Sequence, residues 1–327
     1  MIYTVTFNPA VDYCLHMDDI KVGEVNRARG EEIYFGGKGI NVSFVLKELG
    51  IRSRALGFVA GFTGRAIEQG LWDGGIETDF VHLEQGFSRI NVKLKTSAET
   101  DLNGRGPEIP AGKLEEFFVM LDAVKDGDTV VLSGSIPPSL PADTYEKILK
   151  RLAGRRVRTV VDAAGELLLN TLKYRPFLVK PNHFELGEIF GAKLDTTEKI
   201  VECADRLKSM GAVNVLVSRA GKGAVLVDER GKVHVCGACS GTVRNSVGAG
   251  DSMVAGFLAG CEGVAAASDV CGGVRNEKER SESGPAHISV CDYGYALRLG
   301  TAAGGAAAFS DGLARREEIF RLLSQLT

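Results

Sequence analysis

The feature that most constrains this chain is an alternation of short β-rich runs with longer helical stretches. Strand-like runs fall at Tyr3–Phe7, Arg54–Val59, Thr129–Ser133, Thr159–Asp162, Phe177–Val179, Asn214–Ser218 and Ala224–Val227. Helical patterns lie between them, near 38–49, 63–73, 113–124, 142–153, 183–190 and 196–210. Such alternation specifies an α/β fold, a mainly parallel sheet with helices on both faces. Val130–Leu132 is continuously apolar, as a central strand covered on both sides requires.

Two segments break the series. Cys14–Phe35 and Phe87–Asn103 contain period-2 alternation, for example Ile90, Val92 and Leu94 against Asn91, Lys93 and Lys95. That period predicts strands with one wet face. We read them as a small β-sheet lid, from about 12–35 and 87–106, whose exposed face pairs with a second copy of the chain. The C-terminal third is helical. One helix opens over Asp251–Gly260, and Asp292–Phe309 is another with an Ala/Gly-rich face that permits close packing. Between them, positions 263–290 contain the charged, aperiodic run RNEKERSESG, which reads as a surface loop. There is no tandem repeat, so 1–327 reads as one domain with an insertion.

Composition excludes several classes. Thirty-nine Lys and Arg against 42 Asp and Glu leave a net charge of −3. Such a balance offers no basic excess for nucleic acid or an anionic membrane. The N-terminal residues lack the pattern of a signal peptide, and no uncharged apolar run reaches the roughly 18 residues of a membrane helix. The expectation is a cytoplasmic protein. Seven cysteines, an odd number, read as reduced thiols. Cys236 and Cys239 form one CxxC without the second pair a structural zinc site needs. Glycine is the outlier, at 41 of 327 residues, well above the average of about 7%. With only nine prolines and no triplet period, the chain is neither collagen-like nor Pro/Gly-rich disordered. Glycine is kept where backbone bends or approaches something closely, so its location matters.

Four glycine-associated segments carry chemistry. Gly248-Ala249-Gly250 precedes a helix, where backbone N–H groups and the positive helix end form an anion site. Asp251 follows in the first helical turn. It caps the helix, or it is a base that activates a hydroxyl beside the anion hole. The loop is neither a Walker A motif nor a GxGxxG fingerprint, since Ser252 and Met253 stand where those motifs need other residues. Gly36-Gly37-Lys38-Gly39-Ile40-Asn41 is a strand-to-helix turn or a cradle for a sugar or phosphate. Lys180-Pro-Asn-His-Phe-Glu185 follows a strand end, where α/β proteins bind ligands. Its Asn182 and Glu185 form a capping box, or Glu185 orders a Mg²⁺-bound water. Ser218-Arg-Ala-Gly-Lys-Gly223 is a hairpin turn or a backbone bed for a nucleotide. Asp12, after the first strand, can accept hydrogen bonds from sugar hydroxyls, or close an Asx turn. Arg27, Arg89 and Arg105 lie in or beside the lid segments. They are plain surface charges, or the cations that hold a substrate phosphate on closure.

In this order, these motifs resemble the phosphofructokinase-B (ribokinase-like) family of sugar kinases, from Thr4–Asp12 to Ala302–Ala306. Asn245–Gly256 is similar to the family's C-terminal signature and Gly36–Asn41 to its N-terminal one. The resemblance implies a three-layer α/β/α sandwich with a β lid, commonly dimerised through that lid. It implies ATP and Mg²⁺, and a phosphorylated ketohexose as substrate. Phe7–Asp12, Val25–Arg27, Arg89–Val92, Leu102–Pro107 and Leu132–Pro137 are most similar to members that act on fructose 1-phosphate, with tagatose 6-phosphate the runner-up. A non-catalytic sugar-phosphate sensor is the remote alternative, and a sensor has no need of Asp251. By the same resemblance Asp251 is the catalytic base, with Gly248, Ala249 and Gly250 as the anion hole. Asp12, Gly37, Lys38, Asn41, Arg89 and Ser135 bind the sugar phosphate, and Arg27 reaches a substrate phosphate. Lys180, Asn182, Ser218, Gly221 and Gly223 bind ATP together with Gly248 and Gly250, and Glu185 supports the metal through water. The family linker between Phe257–Gly260 and Tyr295–Arg298 is usually short, so some two dozen residues here are extra and expected to be dispensable for turnover.

Overall fold

The computed structural model describes residues 1–97, 99–265 and 291–326. Most of the insertion expected at 263–290 therefore lies outside the described residues. In chain order the strands are β1 Ile2–Thr6, β2 Ala10–His16, β3 Gly30–Gly36, β4 Ser53–Ala60, β5 Glu77–Leu83, β6 Arg89–Lys95, β7 Glu99–Asn103, β8 Thr129–Ser133, β9 Arg158–Asp162, β10 Leu178–Val179, β11 Asn214–Ser218, β12 Ala224–Val227 and β13 Val233–Cys236. The helices are α1 Lys38–Glu48, α2 Gly61–Asp73, α3 Ala111–Met120, α4 Thr144–Leu152, α5 Gly165–Thr171, α6 His183–Phe190, α7 Thr197–Ser209, α8 Ala249–Cys261, α9 Tyr293–Ala308 and α10 Arg316–Leu323.

Among the described residues the main sheet has the order β13-β12-β11-β10-β9-β8-β1-β4-β5. Pairing is parallel from β11 through β5. It turns antiparallel at β11–β12 and β12–β13, because the few residues between these strands allow only hairpins. Alternate residues of one strand serve opposite layers, as the pleat requires. Val130, Leu132, Val161, Val215, Val217, Val225 and Val227 pack with Leu114, Phe117, Tyr145, Leu168, Leu186 and Leu207 of α3 to α7. Val131, Val160, Leu178, Leu216 and Leu226 face α1, α8, α9 and α10. The result is a three-layer sandwich.

A second sheet of four strands stands apart, in the order β3-β2-β6-β7. The two pattern-breaking segments hold β6 and β7, nearly all of β3 and the end of β2, which starts earlier than expected, at Ala10; the strands meet through the parallel pair β2–β6. In the helical third, α8 and α9 lie close because small residues face each other. A Cβ on Gly256 would sit 2.6 Å from Leu299 O, and one on Gly260 2.5 Å from Ala296 Cα.

Four elements escape the sequence pattern. β5 (ETDFVHL) and β13 (VHVC) are edge strands, open on one side and so free to carry polar residues. Helices α5 and α10 have only seven and eight residues, too few to establish a helical period.

Candidate active site

Strand register assembles the charged centre. β8, β9 and β10 pair in parallel, with Ser133 opposite Asp162 and Val179 opposite Val161. The next residue, Lys180, donates its backbone N–H to Val161 O at 3.2 Å. Asp162 and Lys180 thus leave the carboxyl ends of adjacent strands, where α/β sheets bind ligands. Their side chains meet at 3.1 Å, and Lys38 Nζ lies 3.8 Å from the other Asp162 oxygen. Asp162 and Lys180 are 3% and 5% exposed.

Asp251 enters from the other layer. Gly248, at φ 77°, is the N-cap of α8, a left-handed conformation that glycine adopts without strain. The turn places Asp251 in the first turn of α8, 5% exposed, accepting from Asn41 Nδ2 at 2.8 Å. Asn41 sits in the first turn of α1. That helix starts close to β1 because Gly39 lacks a side chain: a Cβ there would lie 2.6 Å from Val5 O. A Cβ on Gly250 would sit 3.2 Å from Lys180 Nζ, so the helix entry and the buried ammonium face each other.

These neighbours set the proton affinity of Asp251. Burial raises its pKa, the nearby Asp162 charge raises it further, and Asn41, Lys38 and Lys180 pull it down; the outcome is about 6. A carboxyl poised there is ionised at neutral pH yet far more basic than a solvent-exposed one. Burial lowers the pKa of Lys180, but Asp162, then Asp251 and Glu185, outweigh burial and leave it raised.

The four-stranded sheet contributes a second group. Asp12 on β2 is level with Asn91 on β6. Asn91 Nδ2 donates to Asp12 Oδ1 at 2.7 Å, and Gly36 leaves room for Oδ2, which a Cβ there would meet at 2.5 Å. Arg89, the first residue of β6, donates from Nε to Asn8 O at 3.0 Å. Asn8 in turn donates from Nδ2 to Arg105 O at 2.9 Å. Arg27 is exposed in the β2–β3 loop, and Ser135 is exposed just beyond β8. A cleft of about 1010 Å³ is lined by Asp12, Gly36, Asn41, Lys93, Arg244 and Asp311 among others. Asp251 and Lys180 do not line it, so it meets the charged centre only through Asn41.

The segments expected to hold a nucleotide come together at the ends of β10 and β11. Asn182 bridges Ser218, whose N–H donates to Pro181 O at 3.2 Å. Asn182 caps α6: its Oδ1 accepts from Phe184 and Glu185, and Glu185 Oε2 accepts from the Asn182 N–H at 2.8 Å. The capping box is therefore real and engages one Glu185 oxygen. Residues 218–223 form a hairpin with a 3-10 turn at Ala220–Lys222. Gly223 has no room for a side chain because Cys236 O would lie 2.1 Å from its Cβ, whereas Gly221 faces open space.

Among the described residues no three His, Cys, Asp or Glu side chains form a metal cage. Asp162, Asp251 and Glu185 all act on the one buried ammonium of Lys180. Such sparse, hard oxygen donors fit a divalent ion that keeps its waters and is held largely by nucleotide phosphates.

Sequence reasoning missed Asp162 and Asn91. Asp162 ends a β-rich run as Lys180 follows one, and the strand-end rule applied to both would have found it. Asn91 lies in the alternating stretch and was counted there only as a polar position.

A family model described as "pfkB family carbohydrate kinase" matches residues 5–265. The 1-phosphofructokinase of Bacillus subtilis is 44% identical over 326 residues, spanning 100% of this chain and 98% of that one. The D-tagatose-1-phosphate kinase of Bacillus licheniformis is 35% identical over 327 residues, again 100% and 98% of the two chains. Among solved structures, a Staphylococcus aureus protein described as a phosphofructokinase gives a TM-score of 0.83 at 36% identity, covering 100% of this chain and 98% of that one. The architecture is the ribokinase-like α/β fold.

Proposed function

The chain belongs to the pfkB family of carbohydrate kinases, and from that premise we propose that it transfers the γ-phosphoryl group of ATP to the 6-hydroxyl of D-fructose 1-phosphate, giving fructose 1,6-bisphosphate and ADP. The observation that carries this reading is the buried Asp251 carboxylate, fixed by Asn41 at the N-terminus of α8 and poised at about 6. Asp251 accepts the proton of the 6-hydroxyl as that oxygen attacks phosphorus. The transition state of such a transfer is loose, so positioning and charge neutralisation do most of the work. The first turn of α8 offers N–H groups without intrahelical partners; those of Gly248 and Gly250 face the oxygens of the group in flight, and the Ala249 N–H joins them by leaving Ser246 O, to which it donates at 3.4 Å. Lys180 and Lys38 add positive charge, with Asp162 holding both ammonium groups in place. Asn182 and the 218–223 hairpin bed the nucleotide.

ATP is used with a divalent metal ion, and magnesium is the ion we propose. Glu185 would hold it through water beside the nucleotide phosphates, and the ion would supply charge neutralisation there. Asp12, Gly37, Lys38, Asn41, Ser135 and Arg89 take the sugar phosphate, and the β lid excludes water that would compete as acceptor. Arg27 reaches the substrate phosphate from the exposed β2–β3 loop. The outer lid face carries Ile33 and Leu102, 59% and 55% exposed, which suit a lid-to-lid homodimer. No helix among the described residues is long and apolar enough to cross a membrane, and cytoplasmic residence is part of the same reading.

The full-length likeness to a D-tagatose-1-phosphate kinase favours tagatose 1-phosphate as the second acceptor, where the sequence motifs alone suggested tagatose 6-phosphate. The test is kcat/KM over fructose 1-phosphate, fructose 6-phosphate, tagatose 1-phosphate and tagatose 6-phosphate. Highest turnover on fructose 1-phosphate is expected; preference for any other replaces it as substrate. ATP consumption with none of the four would return the chain to the sensor reading.

A further inference from the structure

Two thiols far from the charged centre are in contact. Cys261 is the last residue of α8, and Cys291 directly precedes Asp292, the N-cap of α9. Their sulfurs lie 2.7 Å apart and thirty positions apart in the chain. A disulfide bond is about 2.05 Å long, so little sulfur movement separates contact from bond. The neighbourhood holds both thiols in place. The Asp292 side chain accepts from Tyr295 N at 3.0 Å, and Tyr295 OH donates to Val264 O at 2.8 Å. Gly260 packs against Ala296 where the helices cross. The contact with Cys291 and burial push the Cys261 thiol well up, and Arg158, paired with Glu262, offsets only part of that, so Cys261 is the thiol that reacts second. Cys261 is buried and Cys291 half-buried, so a reagent meets Cys291 first. Cys14, Cys203, Cys236 and Cys239 are also free thiols, and no other pair of sulfurs among the described residues is in hydrogen-bonding reach.

We propose that Cys261 and Cys291 form a dithiol modification site that a low-molecular-weight disulfide converts to an intramolecular disulfide, tying the end of α8 to the chain entering α9. The Cys291 thiolate attacks one sulfur of the reagent and expels one thiolate, leaving a mixed disulfide. Cys261 then loses its proton, attacks the Cys291 sulfur and expels the second thiolate. The protein loses two protons and two electrons, and the reagent is reduced to two thiols. A reducing thiol reverses both steps, which suits a reversible cytosolic modification. The bond forms at the end of α8 remote from Asp251, so it acts on the stability of the α8–α9 pair and leaves the reacting groups in place.

The test equilibrates the full chain with oxidised glutathione, blocks remaining thiols and maps the peptides. The expected product is about 2 Da lighter before blocking, links Cys261 to Cys291, and melts a few degrees higher than the reduced protein, because the crosslink restricts the unfolded chain. Cys291→Ser should abolish all three changes, and so should Cys261→Ser. Cys271→Ser and the double variant Cys236→Ser/Cys239→Ser should retain them. Should Cys261→Ser fail to fold, the half-buried Cys291 position decides alone. A map joining Cys271 or any other cysteine instead, or Cys261 and Cys291 both still alkylated after equilibration, would overturn the proposal.

Discussion

Asn41 donates from Nδ2 to Asp251 Oδ2 at 2.8 Å, joining the first turns of two helices whose residues lie 210 positions apart. The bond favours the ionised form of Asp251 against burial and against Asp162, which both favour the protonated one. Asn41→Leu removes the donor, so the Asp251 pKa rises. The acidic limb of kcat/KM against pH, expected near 6 in the parent enzyme, should move to higher pH. An unchanged limb would show that another group sets it.

Asp251→Asn should lower kcat about 10²–10⁴-fold, the usual worth of a general base, with KM for the sugar phosphate nearly constant. The same change should raise stability. A carboxyl whose folded pKa is raised binds its proton more tightly in the folded chain than in the unfolded one. Stability is therefore lost as pH climbs from the ordinary carboxylate range through about 6. The Asn variant lacks this loss. Its Tm advantage should be full above about pH 7 and close towards pH 4; thermal melts across that range read it directly.

Asp162→Asn acts on two partners at once. Lys180 is left buried without its carboxylate at 3.1 Å, and breaking such a pair costs about 3–5 kcal/mol, measurable by denaturant unfolding. Asp251 also loses a charge that raises its pKa, so the acidic limb of the residual activity should shift to lower pH, opposite to Asn41→Leu.

Asn91→Ala frees the Asp12 carboxylate from its 2.7 Å donor. A hydrogen bond to a charged group is worth about 1.5–3 kcal/mol. KM for the sugar phosphate should rise on the order of tenfold or more, and KM for ATP should stay constant. A change in both constants would mean that the lid sheet itself is disturbed.

Deleting 265–288 should leave kcat within a few-fold. The segment leaves α8 at its C-terminal end, and a helix of about ten residues separates that end from Asp251 by roughly 15 Å. A folded deletion variant that lost most of its kcat would place the insertion in the reaction.

Much of this architecture was legible because its signals are local. The continuously apolar Val130–Leu132 could only be a strand covered on both faces, and β8 is such a strand. The period-2 run at Ile90–Leu94 marked a strand outside the βα series, and β6 lies in the separate four-stranded sheet; which face is covered was not legible, since Asn91 is the buried residue and Ile90, Val92 and Leu94 are half-buried. Edge strand β5 was not legible, since solvent on one side relaxes the pattern that identifies inner strands. The alternative readings at Asn182 and Glu185 also resolved only in space, where the capping box forms in full and the motif still stands beside Ser218.

The sequence by itself determined the layer order, the presence of a second small sheet and the position of Asp251 at the start of a helix, because hydrophobic period and glycine-led turns act over a few residues. Only the tertiary structure decided that Asp162 faces Lys180, that Asn91 holds Asp12, and that Asp251 carries a pKa of about 6. Those outcomes depend on burial and on charges brought within a few ångströms across tens to hundreds of positions, and no local pattern encodes such distances.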